Sequence, residues 1–303
     1  MSDRLKLGTR GSALAVAQAG LVAEALGGAD VVTVESADGG PEDKERFVRG
    51  VERAVLDGEV DLGVHSAKDL PSDRPETIRL VGVLEREDPA DAFVGSGSSL
   101  DELDAGSRIG TASLRRRSQL LALRPDLELA ELHGNVDTRL RKLAEGEYDG
   151  VVLAAAGLSR LGRADEASFR FGLEELTPAG GQGSLALEAR RGDDRAAREA
   201  ARISGHDALV ELTAERTALS ALGASCHTPV GICARLGAGE LRMFGYAGLP
   251  DGSDWVRDSL SGDPEQPAAL GEALAERMLA AGARQILGAV EPAPADTGPS
   301  DEG

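Results

Sequence analysis

The sequence predicts an α/β protein. Short apolar runs alternate with helical patterns over the first two-thirds of the chain, the sign of mainly parallel sheets with crossover helices. Polar clusters fall between the end of a strand run and the start of a helix. The last third changes character to a long helix, an antiparallel meander and a closing helix, a smaller α+β domain.

In order, RLKLG is a strand whose exit loop, TRGS, leads to the helix ALAVAQAGLVAEAL, with Ser12 placed to cap it. VVTVES is a strand, DKERFVRGVERAVLDG an amphipathic helix, and DLGVHSAKDLP a strand with a polar exit. IRLVGVLE and DAFVGS are strand-like. RIGTAS runs into an arginine-bearing helix, LELAELHG is a strand and exit loop, and NVDTRLRKLAEGE is a helix. DGVVLAAAGL is a buried strand turning into a helix. HDALVELTAERTALSALG and PEQPAALGEALAERMLAAG are helices flanking the Gly-rich meander from Ile232 to Leu260. The end, PAPADTGPSDEG, is Pro-, Gly- and acid-rich and is expected to be disordered over 291–303.

At 303 residues the chain has room for two or three domains. It is 41% hydrophobic but 3% aromatic, so its cores must be built from Ala, Val, Leu and Ile. The apolar stretches are too short to span a membrane, and MSDRLKLGTRGS has no basic n-region before a sustained apolar segment; a cytoplasmic protein is expected. Two cysteines, Cys226 and Cys233, are too few for a disulfide framework, and four scattered histidines offer no metal set.

The net charge is −19, with 52 acidic residues against 33 basic ones, of which four are lysines. An acidic surface with Arg favoured over Lys is halophile-like, since self-repulsion is screened within about 3 Å at ~1 M salt. The same field argues against nucleic-acid and anionic-membrane partners.

Against this background GTASLRRRSQL concentrates three arginines. Charge runs on helices ordinarily face solvent, and three consecutive residues span nearly a full turn, so they cannot all point one way. Arg115 and Arg116 lie at the helix N-terminus, where the dipole disfavours cations, which calls for an anion offsetting the penalty. Arg10, Arg139 and Arg160 also lie at loop–helix junctions, and converging guanidinium forks suit a polycarboxylate or phosphate ligand. HSAKD (65–69) puts a base, a cation and a carboxylate at a strand end, either as a locally paired turn or as a catalytic group. Cys226, in GASCHTPVG, is a loop thiol beside His227, inert or reactive; Cys233 alternates like a residue of a half-buried strand and reads as a small core hydrophobe.

The runs TRGSALA (9–15), FVRGVERAVLDGEVDLGVHSAKDLP (47–71), GTASLRRRSQL (110–120), HGNVDTRLRKLAEGEYDGVVLAAAGLSRLG (133–162), GGQGSLALE (180–188) and ASCHTPVG (224–231) resemble, in order, the hydroxymethylbilane synthase (porphobilinogen deaminase) family. The resemblance implies two periplasmic-binding-protein-like lobes, from 1–86 with 184–203 and from 90–180, and a third domain over 206–290 carrying a cysteine loop. It implies a dipyrromethane cofactor on Cys226 through a thioether, and a monomer that takes porphobilinogen as substrate. It further implies that four porphobilinogens are joined head to tail with loss of ammonia and that the linear tetrapyrrole is then hydrolysed off.

By the same resemblance Asp69 is catalytic. Arg10, Ser12, Lys68, Ser113, Arg115, Arg116, Arg139 and Arg160 fall on carboxylate-binding positions. His133, Lys44, Phe47 and Thr111 are further candidates, while Arg117 is left to the solvent face. His133 stands where the family usually has Arg, GPEDKERF is more helical than the family's Gly-rich lid, and Thr111-Ala112-Ser113 has lost one hydroxyl of the usual run.

Two other readings stay open. A solute-binding or ligand-sensing protein would share the lobes and arginines but need neither a third domain nor a loop cysteine. A nucleic-acid-binding regulator built on the arginine helix is opposed by the net charge, and a salt titration with DNA separates it.

Overall fold

The computed structural model describes residues 4–35, 45–71, 75–224 and 228–290. Along the chain the elements are β1 (Lys6–Arg10), α1 (Ala13–Ala25), β2 (Asp30–Val34), α2 (Glu45–Leu56), β3 (Leu62–Ser66), β4 (Ile78–Val83), β5 (Asp91–Gly95) and β6 (Arg108–Gly110). There follow α3 (Leu114–Leu123), β7 (Glu128–Ala130), α4 (Val136–Ala144), β8 (Gly150–Ala154), α5 (Ala155–Arg160), β9 (Phe169–Arg170), β10 (Leu185–Arg190) and α6 (Asp194–Arg202). The chain continues through α7 (His206–Leu222), β11 (Val230–Gly237), β12 (Glu240–Gly248), β13 (Trp255–Gly262), α8 (Pro267–Ala280) and α9 (Ala283–Val290).

The fold is α/β, and its two large sheets are mixed. The first has the order β2-β1-β3-β10-β4, the second β7-β6-β8-β5-β9, each with five strands. In the first, β1 pairs parallel to β2 and β3, while β10 runs antiparallel to β3 and β4. The second repeats this plan, with β6 parallel to β7 and β8, and β5 antiparallel to β8 and β9. The expectation of mainly parallel sheets therefore holds for one half of each sheet. Alternation of strands and helices does not fix the direction of β10, which enters the first sheet after the whole second sheet has been built.

Local chemistry sets the helix starts. Ser12 caps α1 by accepting from the Ala15 N–H, Ser113 caps α3 through the Arg116 N–H, and Asn135 caps α4 through the Thr138 N–H. The first sheet buries Leu7, Leu62, Val64, Leu185 and Leu187 against Ala19 and Val22 of α1 and Ala196 and Ala200 of α6. Small alanines let those helices lie close, which is how a core with few aromatics is filled. In the second sheet the Phe93 ring stacks on Phe169 at 4.9 Å between centroids.

The third sheet, β11-β12-β13, is an antiparallel meander. Ile232, Met243 and Ala247 pack on Ala214 and Ala218 of α7 and on Leu274 and Met278 of α8. Cys233 is fully buried, the small core residue the sequence suggests; burial pushes its thiol pKa far up, and the neighbouring Glu215 carboxyl adds to that. Among the described residues no helix is long and apolar enough to cross a membrane, and no group of His, Cys, Asp and Glu could hold a metal.

Candidate active site

The carboxyl ends of β1, β3, β6 and β8 deliver the polar loops to one region between the two large sheets. Helix α1 of the first sheet meets α5 of the second there, where Leu14 faces Gly157. Ser12 sits at the α1 terminus and Arg10, half-buried, at the end of β1. From the opposite side α5 ends at Arg160, whose Nη2 donates to the Gly183 carbonyl and whose Nε is buried without an acceptor among the described residues.

Strand β3 ends in a single 3-10 turn, Ala67–Asp69, carrying Lys68 and Asp69. The Gln18 amide donates to Ser66 Oγ at 3.0 Å, and the Ala67 N–H donates to the Ser184 carbonyl at 3.0 Å, fixing the start of that turn. The segment Gly180–Ser184 is pressed onto it. At Gly181, with φ +78°, an added Cβ would lie 2.8 Å from Ala67 C and 2.9 Å from Lys68 N; at Gly183, with φ +90°, it would lie 2.3 Å from the Glu87 carbonyl oxygen. Neither position admits a side chain, so the glycines of GGQGS let the crossover lie against both the β3 exit turn and the β4–β5 connection. Asp69 is exposed, while Lys68 is half-buried with Nζ 3.2 Å from Gln182 Oε1.

Behind Lys68 lies a buried charge cluster centred on Asp91, the first residue of β5, which is wholly out of solvent. Arg115 Nη1 is 2.8 Å from Asp91 Oδ2 and Arg116 Nη2 is 2.7 Å from Oδ1. Arg115 Nη1 also donates to the Thr177 carbonyl and Arg116 Nη1 to the Val152 carbonyl, each at 2.7 Å. Burial alone would raise the Asp91 pKa; the two guanidinium groups overcome it and hold the carboxyl well below the usual range.

The anion that the α3 N-terminus calls for is therefore supplied, at least in part, by the protein's own Asp91. Two cations on one buried carboxylate still leave an excess of positive charge. Lys68 feels it: burial and then Arg116 and Arg115 push its pKa down to about 8 against the attraction of Asp69 and Asp91. Arg139, half-buried with Nε on the Gly134 carbonyl, is likewise lowered to about 10 by burial and then by Arg116.

The other candidates distribute as follows. Thr111 is buried and its Oγ1 accepts from the Ser113 N–H, shaping the loop before α3. His133 does not face the cluster: it is exposed, with Nε2 3.0 Å from Glu131 Oε2 on its own loop. Arg117 is not on the solvent face either. It is half-buried and donates to the Leu129 carbonyl at 2.9 Å, tying α3 to β7. Lys44 and Cys226 lie outside the described residues, as does the 291–303 tail; Phe47 lies on α2, but its side chain is outside the described set.

Residues that the sequence reading missed complete the site. Asp91 and Gln182 organise the cluster, and Arg86 anchors it from behind. Arg86 Nη1 reaches Glu211 at 3.0 Å and Glu215 at 2.7 Å on α7, while its Nε donates to the Gln182 carbonyl at 2.9 Å. The available signal for Asp91 was a carboxylate opening a strand, DAFVG, that is otherwise wholly apolar.

This cationic cleft behind one exposed aspartate sits in a chain that matches two family descriptions. Residues 5–198 match "Porphobilinogen deaminase, dipyromethane cofactor binding domain" and residues 209–280 match "Porphobilinogen deaminase, C-terminal domain". The chain belongs to the porphobilinogen deaminase family. A porphobilinogen deaminase from Roseiflexus castenholzii is 45% identical over 95% of this chain and 99% of its own length. One from Thermus thermophilus is 41% identical over 93% of this chain and 97% of its own. A TRAP periplasmic solute binding protein from Desulfovibrio salexigens is similar in structure over 67% of this chain and 73% of that one, at 12% identity and a TM-score of 0.40. The porphobilinogen deaminase matches cover both large sheets and most of α7 to α8, so both the cleft and the meander lie inside the region of family similarity.

Proposed function

We propose that this chain works as a hydroxymethylbilane synthase, a transferase of tetrapyrrole biosynthesis that condenses porphobilinogen head to tail, releases ammonia and frees the linear tetrapyrrole by hydrolysis. The observation that carries the reading is a concentration of uncompensated cations beside an exposed aspartate in a chain of net charge −19. Among the described residues Lys68, Arg139 and Arg160 have no carboxylate within ion-pair distance, and the buried Arg160 Nε has no acceptor. Such donors fit a ligand bearing several carboxylates, as pyrroles with acetate and propionate arms are.

The same donor set fits a dipyrromethane, with Cys226 as the residue that would bear it through a thioether and Arg10, Ser12, Ser113, Arg115, Arg116, Arg139, Arg160 and Lys68 as those that would hold its carboxylates. When bound, that group supplies the pyrrole end to which substrate units are joined. Asp69 then does the chemistry. Its carboxylate accepts the pyrrole N–H of the incoming substrate and stabilises the positive charge that develops there as ammonia departs. It also takes and returns the proton exchanged between the leaving amine and the substituted ring carbon. The buried arginines cost no reorganisation during this step, because Asp91 and backbone carbonyls fix them beforehand.

The reading includes three domains, 1–86 with 184–203, 90–180 and 206–290, in keeping with β10 and α6 packing in the first sheet. It also includes a cytoplasmic monomer with no nucleic-acid or membrane partner, whose acidic surface suits high salt. Intact-mass measurement of the purified protein beside a Cys226→Ser variant tests it. A mass increase equal to a dipyrromethane, absent from the variant, is expected. A wild-type mass that stays unmodified even after incubation with porphobilinogen overturns the reading.

A further inference from the structure

Gln182 stands at the meeting point of every part of the cleft. Its side chain is almost wholly buried, and the crossover around it is fixed on both sides by Gly181 against Ala67 and Gly183 against Glu87. Its amide nitrogen donates to the Pro89 carbonyl at 2.7 Å and to Asp91 Oδ1 at 2.9 Å. Both of those partners are acceptors only, so both amide hydrogens are used and the orientation of the amide is dictated. Oε1 must then face Lys68, 3.2 Å away.

The consequence lies in what Lys68 does not touch. It sits near Asp91, Asp69, Arg115 and Arg116, yet among the described residues its ammonium makes no ion pair within 4 Å and is held by a neutral carbonyl dipole. Asp91 is a buried carboxylate whose charge acts on Lys68, and Gln182 together with Arg116 fills its Oδ1. We propose that Gln182 is a positioning residue that keeps Lys68 off Asp91, so that the lysine charge stays uncompensated and faces the ligand's carboxylate. The same amide protects the Arg115 and Arg116 geometry, because Asp91 does not have to share itself with a third cation.

This deepens the synthase reading and rests on it for the identity of the ligand, but its central claim concerns Lys68 alone. With Gln182→Met, volume is kept while both amide functions are lost, and Lys68 closes on Asp91. With Gln182→Glu, the amide hydrogens facing Asp91 and Pro89 are lost and the new carboxylate pairs with Lys68. Both variants compensate the lysine by different routes.

The test uses the full-length protein as purified. Four lysines in the chain make each one separable by peptide mass, and Lys142, on the surface with Glu147, serves as the internal reference. Acetylation by acetic anhydride across a pH series reads the titration of Lys68. Wild type is expected to become reactive near pH 8. In Gln182→Met and Gln182→Glu the midpoint moves up, and Lys68 labelling near pH 8 falls about tenfold relative to Lys142, a change of ~1.4 kcal/mol. In parallel, KM for porphobilinogen rises about tenfold, by more than kcat falls, and the rise is absent when Gln182→Met is made in a Lys68→Met background.

A Lys68 titration unchanged in both variants overturns the proposal, as does a KM effect of Gln182→Met that persists in full without Lys68. If Gln182→Met does not fold, Gln182→Glu carries both measurements. A titration that shifts in the variants while wild type never turns over porphobilinogen supports the positioning role and rejects the synthase reading, so the two failures are told apart.

Discussion

Arg116 and Asp91 form a buried pair in which Nε and Nη2 of the guanidinium both donate to one oxygen, Asp91 Oδ1, at 3.1 and 2.7 Å. The pair joins the N-terminal turn of α3 to the first residue of β5, and Arg115 occupies the second carboxylate oxygen from the same turn. Two adjacent cations on a helix N-terminus are unfavourable by themselves, and Asp91 is what makes the arrangement tenable.

Asp91→Ala is therefore expected to cost about 3–5 kcal/mol of stability, the range for removing one partner of a buried ion pair. Two guanidinium groups would remain in a dry site with only the Thr177 and Val152 carbonyls and no charge to balance them. Urea denaturation with an unchanged m-value measures this. A loss below about 1 kcal/mol would mean that solvent enters the cluster freely.

Asp69 behaves in the opposite way. It is exposed and closes a 3-10 turn whose start is held by Gln18 and Ser184, so the fold does not depend on its carboxylate. Asp69→Asn is expected to leave the unfolding free energy within about 0.5 kcal/mol while reducing turnover of porphobilinogen by roughly 10²–10⁴-fold. A matched loss of stability and activity would place Asp69 among the structural residues instead.

The pH dependence of ligand binding follows from Lys68. Its pKa in the fold is lowered from 10.5 to about 8, so the ammonium is the form that the fold disfavours. Below about pH 8 the charge is present and attracts a carboxylate; as pH rises through that value the charge and the attraction are lost. The stability contribution has the reverse sign. Between about 8 and 10.5 the unfolded chain binds the proton more tightly, so this group's contribution to stability rises with pH there. KM for porphobilinogen is expected to climb above pH 8, and Lys68→Arg to remove that inflection, since a guanidinium stays charged.

How much of this was legible beforehand depends on the range of the interactions. The cap at Ser12 could be read because a cap is decided by a side chain and an N–H three residues on, and the structure adds Ser113 and Asn135 by the same local rule. Strand ends bearing TRGS, HSAKD and GTAS could be read because alternation places such loops at the carboxyl edge of a sheet. The arginine run misled at Arg117 because the carbonyl that holds it belongs to Leu129, on the next strand, which no local rule can see. Asp91 and Gln182 were missed for the same reason: the first is a single carboxylate at a strand start, the second a neutral amide in a glycine run, and both acquire meaning only when β10 brings the crossover back to β3 and β5. At His133, where the sequence left open a ligand contact or a weaker clamp, the exposed ring lies 3.0 Å from its neighbour Glu131.

The last prediction concerns how the meander is fastened to the cleft. Glu215, fully buried on α7, accepts from Arg86 and from the Ala234 N–H, each at 2.7 Å, and from the Gly181 N–H at 2.6 Å. It thus joins the third sheet to the segment between β4 and β5 and to the crossover that carries Gln182. Burial alone would lower the Arg86 pKa, but Glu215 and then Glu211 raise it well above the usual value, while burial pushes the Glu215 carboxyl up against the pull of Arg86. Arg86→Met leaves two buried carboxylates, Glu211 and Glu215, facing each other with Arg235 on one of them, and is expected to cost about 3–5 kcal/mol. Because the lost contacts lie between units rather than within one core, hydrogen exchange is expected to rise first at the Ala234 and Gly181 amides, while those of β12 stay protected. Uniform loss of protection across all three sheets would show instead that the Arg86 cluster supports the whole molecule as one cooperative unit.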